Sequence, residues 1–489
     1  MNWSRRSLKL MKKQIIVEKL KLNPQLLGIS NRMAGISAYV LGAIGLFAFS
    51  YLIRLNLVVP VFLLVVVSYL KFMRRELKYS YNLLQISFLY LIIFSSGYFI
   101  VTKGFSPLLI PFAVVPMLVA LLFNDRILTF IITVTGAITI SYFSPDPHNI
   151  GLMFLTSGLV SGILVFGARR RNTIITCGLA VGLVQALSFF LIEHLSFVDP
   201  ARYLILILNG LASAVIVLGV LPIFESLFGR ITSIELQELA FNNPILNRLV
   251  MEAPGTYHHS QTVGELSEAA CKAIGANSLL ARIGAYYHDI GKLQKPEYFT
   301  ENQDIKENVH DDLAPSMSKL VIMNHIKEGV ELARKYRLNP RIIDFIQQHH
   351  GKSLVYFFYR RALEDTATQE AITEDGFRYP GPKPSTKETA VVLLADSVEA
   401  ATRGLKEPTA AHIEETVHKI INNKFIDTQL DECELSLKDL EIISKVFGHI
   451  LSGIHHSRIN YPEARSENIH KKPAKESLDR PPEGDSGDI

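Results

Sequence analysis

Three cysteines in 489 residues, Cys177, Cys271 and Cys433, are too few and too scattered for a disulfide framework or a thiolate ligand pair. Alternating β-branched runs are scarce in the C-terminal half, which argues against a sheet there. That half also lacks an internal repeat, so a solenoid is excluded. Charge of one sign is missing too. Fifty Lys and Arg stand against 46 Asp and Glu, and a net +4 gives no general footprint for nucleic acid. The basic residues that do cluster are Arg5, Arg6, Lys9, Lys12, Lys13, Lys19 and Lys21, beside the single acid Glu18. Such a block favours cytoplasmic retention and attraction to anionic lipid. Long apolar runs are absent beyond residue 228, and before it they dominate. The chain is therefore split: a membrane half and a charged, His-rich half, more than one ordinary domain.

The apolar runs cover 33–53, 55–70, 83–101, 108–123, 127–143, 151–168, 174–192 and 203–224. A hydrocarbon core of about 30 Å needs roughly 20 helical residues, so 55–70, 108–123 and 127–143 are marginal. Eight spans are expected, or seven if one segment is re-entrant. With the N-terminus inside, the second, fourth and sixth connections are cytoplasmic. They hold Lys71, Arg74, Arg75 and Lys78, then Arg126, then Arg169, Arg170 and Arg171; the opposite loops carry Arg54, Lys103 and Arg202 as their only Lys or Arg, with Asp146, Glu193 and Asp199 among their acids. This is the positive-inside pattern, and it returns the chain to the cytoplasm after eight spans. No small-residue cleavage site follows 33–53, so a signal peptide is disfavoured.

The soluble half has helical apolar periodicity and reads as all-α: Leu279, Leu280, Ile283 and Ala285 precede His288, and Val330, Leu332, Ala333 and Tyr336 follow His325. Five segments are expected: a basic N-terminus 1–32, the membrane region 33–228, a polar helical connector 229–248, a soluble domain 249–462, and a disordered tail 463–489. Within the soluble domain, 373–386 is rich in Pro and Gly. Phe377, Arg378 and Tyr379 there could stack on a nucleotide; the plainer reading is a stiff connector.

Seven residues have the chemistry of metal ligands: His259, His288, Asp289, His325, His349, His350 and Asp396. Mixed imidazole and carboxylate donors without thiolate suit Mn, Fe or Zn in a reactive site better than a Cys-built structural zinc. Neighbours on a helix diverge by about 100°, so the His288-Asp289 and His349-His350 doublets can serve one site only from beyond a helix end. A carboxylate has a second oxygen with which to bridge. Seven donors exceed what one ion with water and substrate would use, whereas two ions about 3.5–4 Å apart would employ them for in-line attack on phosphorus. A lone histidine is more often packed or exposed than a ligand; the joint pattern carries the reading. By the same standard His258 is a mere neighbour, His455-His456 are structural, and His310 is a supporting or exposed residue.

The segments Pro254-Gly255-Thr256-Tyr257-His258-His259-Ser260, Tyr286-Tyr287-His288-Asp289-Ile290-Gly291-Lys292, Gln348-His349-His350-Gly351 and Leu394-Ala395-Asp396-Ser397-Val398-Glu399-Ala400 resemble the seven-transmembrane-receptor HD-domain family of PgpH type, membrane phosphodiesterases of bacteria that cleave cyclic di-AMP to linear pApA. The resemblance implies an all-α fold, a polytopic transmembrane helical bundle followed by a cytoplasmic all-helical HD domain. It implies two divalent metal ions, Mn or Fe foremost. One would take His259, His288, Asp289 and Asp396, the other Asp289, His325, His349 and His350, with Asp289 bridging. Asp289 and Lys292 are the expected catalytic residues, Lys292 at a phosphate or leaving oxygen unless it faces solvent. Expected partners are cyclic di-AMP and the bilayer, without DNA; a homo-oligomer or membrane partner is left open. The expected location is the bacterial cell membrane. The sequence departs from this family in one place: 54–56 stands where an extracytoplasmic domain usually follows the first span. The related enzymes for cyclic di-GMP carry Gly-Tyr-Pro after the histidine pair; Gly351-Lys352-Ser353 stands here.

Overall fold

The computed structural model describes residues 80–456, apart from 194–198, 242, 304–308, 365–371 and 407, together with Ile44 and Ala48. The basic N-terminus, the runs 33–53 and 55–70, the segment 54–56 and the tail lie outside the described residues. The remainder is nearly all helix, with no strand among the described residues beyond an isolated Leu354–Arg378 bridge.

Among the described residues six helices build the membrane half: α1 (Ser80–Thr102), α2 (Val114–Phe123), α3 (Arg126–Ser141), α4 (Pro147–Val165), α5 (Arg171–Ile192) and α6 (Pro200–Phe228). Of the described residues, four segments, Gln85–Thr102, Pro147–Val165, Arg171–Ile192 and Pro200–Phe228, are long and apolar enough to cross a membrane. The two marginal runs that fall within the described residues, 108–123 and 127–143, are indeed short. At 1.5 Å per residue α3 is about 24 Å long and α2 about 15 Å. The 108–123 run is not one helix: a 3-10 turn at Pro107–Leu109 precedes α2. Ile110, Phe112 and Ala113, which link them, are at most 1% exposed, and α2 is buried on every side from Val114 to Leu122. Irregular backbone at membrane depth is tolerable only where protein surrounds it, as here. α5 and α6 meet at glycines. A Cβ on Gly210 would stand 2.3 Å from the Gly178 carbonyl oxygen and from the Gly182 nitrogen, so the two backbones touch directly.

The connector is not one helix. α6 stops at Gly229 in the left-handed region (φ 59°), and α7 (Ser233–Phe241) and α8 (Pro244–Glu252) follow. Arg171 on α5 makes a two-pronged ion pair with Glu238 on α7, at 2.5 and 2.9 Å. Asn339 donates to the Arg230 carbonyl at 2.9 Å and to the Glu235 carboxylate.

The C-terminal half contains α9 (Pro254–Ala273), α10 (Ser278–Tyr287), α11 (Pro315–Lys335), α12 (Pro340–Gln348), α13 (Tyr356–Glu364), α14 (Lys387–Arg403), α15 (Ala410–Ile426) and α16 (Leu437–His456). α14 is the central rod. Its residues Ala390 to Ala395 are wholly buried, and α9, α10, α12, α15 and α16 pack around it. A helix apolar all round belongs in a core, and this one carries Asp396 and Glu399 at the end of its buried stretch.

Candidate metal centre

Both doublets stand where a helix ends. Asn277 caps the start of α10 by accepting from the Leu280 amide at 3.1 Å; the helix finishes at Tyr287, and His288-Asp289 lead into a 3-10 turn, Ile290–Gln294. α12 finishes at Gln348, and His349-His350 are followed by Gly351 at φ 54°. The carbonyl-rich C-terminus of a helix favours a cation. Gly291 allows the third element to come close: a Cβ there would lie 1.8 Å from the His325 carbonyl oxygen. α11 therefore rests on the turn backbone and brings His325 in. α9 supplies His259 and α14 supplies Asp396.

The structure brings all seven sequence-selected residues into one cluster, six of them buried and His350 partly so. Asp289 sits in its middle. Oδ2 lies 3.2 Å from Nε2 of His288 and 3.7 Å from Nε2 of His259; Oδ1 lies 3.4 Å from Nε2 of His325 and 3.6 Å from Nε2 of His349. Asp396 is 3.1 Å from His259, 3.9 Å from His288 and 3.4 Å from Nδ1 of His350. Two groups, His259-His288-Asp289 and His325-His349-His350, each bring three donor atoms within 4.8 Å of one another, close enough to hold an ion.

The tautomers sharpen this. Nδ1–H of His288 donates to the Ala285 carbonyl at 2.6 Å, that of His325 to Ile322 at 2.5 Å, and that of His349 to Ile346 at 3.0 Å. Each Nε2 is thereby left as a bare lone pair aimed inward, the arrangement used by metal-bound histidines. Nε2 of His325 and Nε2 of His349 are only 3.1 Å apart. Two lone pairs at that distance repel unless a proton or cation lies between them. Nε2 of His288 and Oδ1 of Asp289 are buried without a hydrogen-bond partner. A buried polar atom without a partner is costly, and a divalent cation would satisfy both. The donors fit a metal.

The electrostatics of the cluster follow from burial and crowding. Burial alone would lower the His259 imidazole; Asp396 and Glu399 outweigh it and raise the group to about 10. Burial drives His325 down to about 4 despite the nearby Asp289, and holds His350 well below the ordinary histidine value. Asp289 and Asp396 stay far below the usual carboxylate range: burial opposes the charge, and the surrounding His and Lys groups more than offset it. These carboxylates are ready to accept cations.

Lys292 does not face solvent. Its Nζ lies 2.7 Å from Oδ2 of Asp289 and 2.6 Å from Oε1 of Glu301, inside the site. Glu301 and Glu399 are supporting residues that the sequence reading did not select. For Glu399 the signal was available, since it stands three residues after Asp396 on the same helix; for Glu301 no spacing announced it. His258 is exposed, a neighbour only. His310 is buried and bonds the Tyr298 carbonyl at 2.8 Å, in a supporting place and not an exposed one. The side chains of His455 and His456 lie outside the described residues. The 373–386 loop divides. Phe377 is buried against Phe358, Tyr359 and Ile322 and has no free face for a base. Arg378 is held by Asp427 and Glu374. Tyr379 alone reaches the cluster, stacked on His350 with ring centres 4.4 Å apart.

Comparison with known proteins accords with this geometry. The family described as "7TM receptor with intracellular HD hydrolase" matches residues 49–232, and the HD domain family matches 256–401. The cyclic-di-AMP phosphodiesterase PgpH of Bacillus subtilis is 43% identical over 369 residues, 73% of this chain and 51% of that protein. Its namesake in Listeria monocytogenes is 38% identical over 394 residues, 78% of this chain and 54% of that one. The solved HD domain of L. monocytogenes PgpH in complex with cyclic-di-AMP is 45% identical and covers 45% of this chain and 100% of its own, with a TM-score of 0.42. The chain spans about half the length of the curated relatives it matches. Membrane helices followed in one polypeptide by the His and Asp cluster of an HD domain make this chain a member of the family of seven-transmembrane receptors with an intracellular HD hydrolase domain.

Proposed function

We propose that this protein is a membrane-anchored, metal-dependent phosphodiesterase that hydrolyses cyclic di-AMP to linear 5'-pApA. The position of Asp289 carries the reading. Its two oxygens face two separate sets of imidazoles, as a carboxylate shared by two cations must. One cation would be held by His259, His288, Asp289 and Asp396, the other by Asp289, His325, His349 and His350, with Mn or Fe matching the nitrogen and oxygen donors. Such a pair, when bound, supplies Lewis acidity and an activated water for displacement at phosphorus. The chain's own residues do the rest. Asp289 and Asp396 balance the cationic charge. Glu399 orients His259 through Nδ1. Lys292, anchored by Glu301, presents an ammonium to a phosphate or leaving oxygen. Tyr379 closes one wall beside His350.

The substrate rests on the relatives named for cyclic-di-AMP and on the resemblance of the HD-domain motifs to that family. The domain bounds 249–462 and the connector 229–248 belong to this proposal, with the core of the soluble half taking in Leu236, Ile245 and Leu246 from the connector. A cytoplasmic catalytic domain is supported by charge: Arg126, Arg169, Arg170 and Arg171 crowd the membrane end to which α7 is tied through Glu238. The purified full chain, supplied with Mn or Fe, should be given cyclic di-AMP, cyclic di-GMP and pApA. Cleavage of cyclic di-AMP that stops at pApA is expected. Turnover of cyclic di-GMP alone would overturn the substrate, and turnover of none would leave a non-catalytic receptor.

A further inference from the structure

Between α3 and α4 a groove of about 380 Å3 opens on the outer face of the membrane half, within the size range of small-molecule sites. Phe130, 54% exposed, and Ile163, 73% exposed, form its lips. Its floor is made by buried Thr129, Thr133 and Gly162. Gly162 sets the depth, since a Cβ there would lie 2.7 Å from the Thr129 methyl carbon. Both threonine hydroxyls are used within their own helix, on the carbonyls of Asp125 and Thr129 at 2.7 Å. The floor therefore offers methyl groups, and the groove is apolar along its length.

One end differs. Arg126 stands at the mouth, its guanidinium 4.7 Å from the centre of the Phe166 ring, and forms no ion pair among the described residues. The adjacent carboxylate is occupied, because Asp125 caps α3 by accepting from the Ile127 and Leu128 amides. Exposed Arg169 and Arg170 share this end of the bundle, while Arg171 is already paired with Glu238. The groove thus joins an apolar trough at hydrocarbon depth to a pre-oriented guanidinium at the headgroup level that has no ion-pair partner among the described residues.

We propose that this groove is a binding site for one anionic phospholipid, with the phosphate on Arg126 and an acyl chain along Phe130, Leu159 and Ile163. The charge selects an anionic over a zwitterionic headgroup, and the apolar trough selects a lipid over a free phosphate. The site lies in the membrane half and does not depend on the phosphodiesterase reading.

The test is lipid retention by the full-length protein in detergent, counted by native mass spectrometry during titration with phosphatidylglycerol or phosphatidylcholine. Wild type should retain one phosphatidylglycerol in preference to phosphatidylcholine. Arg126→Gln should weaken that retention about fivefold, the scale of one interfacial cation, and Arg126→Lys should restore most of it. Ile163→Trp, which fills the trough from an exposed position, should reduce retention with the arginine intact. Equal retention of both lipids by wild type, or unchanged retention in both Arg126→Gln and Ile163→Trp, would overturn the proposal. So would displacement of the lipid by glycerol 3-phosphate at equal concentration, which would show that a phosphate alone fills the site.

Discussion

Glu399 accepts a hydrogen bond of 2.6 Å from Nδ1 of His259, whose Nε2 faces Asp396 at 3.1 Å, so one ring is gripped by two carboxylates from the same helix. The pair fixes which nitrogen points inward. Glu399→Gln should therefore weaken metal binding about 10- to 100-fold, with activity regained at higher Mn concentration. Metal titration followed by rate and by isothermal calorimetry checks this. Unchanged affinity would remove Glu399 from the site.

Asp289 joins the two halves of the cluster, so its loss should act on both. Asp289→Ala should lower metal content from two ions to one or none and reduce the rate by about a thousandfold or more. Elemental analysis of the folded variant beside its kinetics is the measurement. Two retained ions with a near-normal rate would contradict the two-cation assignment.

Gly291 is a glycine because α11 lies against it. Gly291→Ala places a methyl 1.8 Å from the His325 carbonyl oxygen, where backbone has to move. Destabilisation of about 1–3 kcal/mol or more is expected, with loss of metal from the His325 side. Gly453→Ala, exposed within α16 and with nothing within 4 Å of the added carbon, should not lower the melting temperature and serves as the control.

Phe377 and Tyr379 should separate in their effects. Phe377 is 6% exposed in a small apolar cluster, and truncation to Ala should cost about 3–5 kcal/mol of stability, lowered as far as that local cluster relaxes. Tyr379, 7% exposed, should also lose stability on truncation to Ala, but only Tyr379→Ala should raise KM, because its ring lines the site at His350. Equal KM in both variants would show the loop to be a connector only.

Glu235, on α7, gives a pH dependence outside the metal site. Burial first and the nearby Glu225 second raise its carboxyl to about 7, and Asn339 partly opposes them. A carboxyl whose folded value lies above its unfolded value binds its proton more tightly when folded, so stability falls as pH rises from about 4.5 through 7. Glu235→Gln should flatten that slope and add about 1–3 kcal/mol at pH 8. Denaturant melts at pH 5 and pH 8 test it; a parallel slope in the variant would assign the effect elsewhere.

Much of this protein was determined by its sequence. Apolar runs separate the membrane half from the soluble half because burying or exposing a side chain to lipid depends on its own hydropathy. The seven candidate ligands were visible because their chemistry is intrinsic to the residue, and four of them fall in two doublets at helix ends. Only the tertiary structure decided the rest. Whether 108–123 would form one span depended on what surrounded Ile110, Phe112 and Ala113, and neighbouring helices supply that surrounding. Lys292 reads as solvent-facing or inward with equal ease until Glu301, nine residues on, folds back to hold it. The tautomers of His288, His325 and His349 rest on carbonyls one helical turn behind each ring, and their convergence on Asp289 depends on α11 lying against Gly291. The groove at Arg126 has no signature in the chain at all, because an apolar trough is a property of two packed helices and belongs to neither alone.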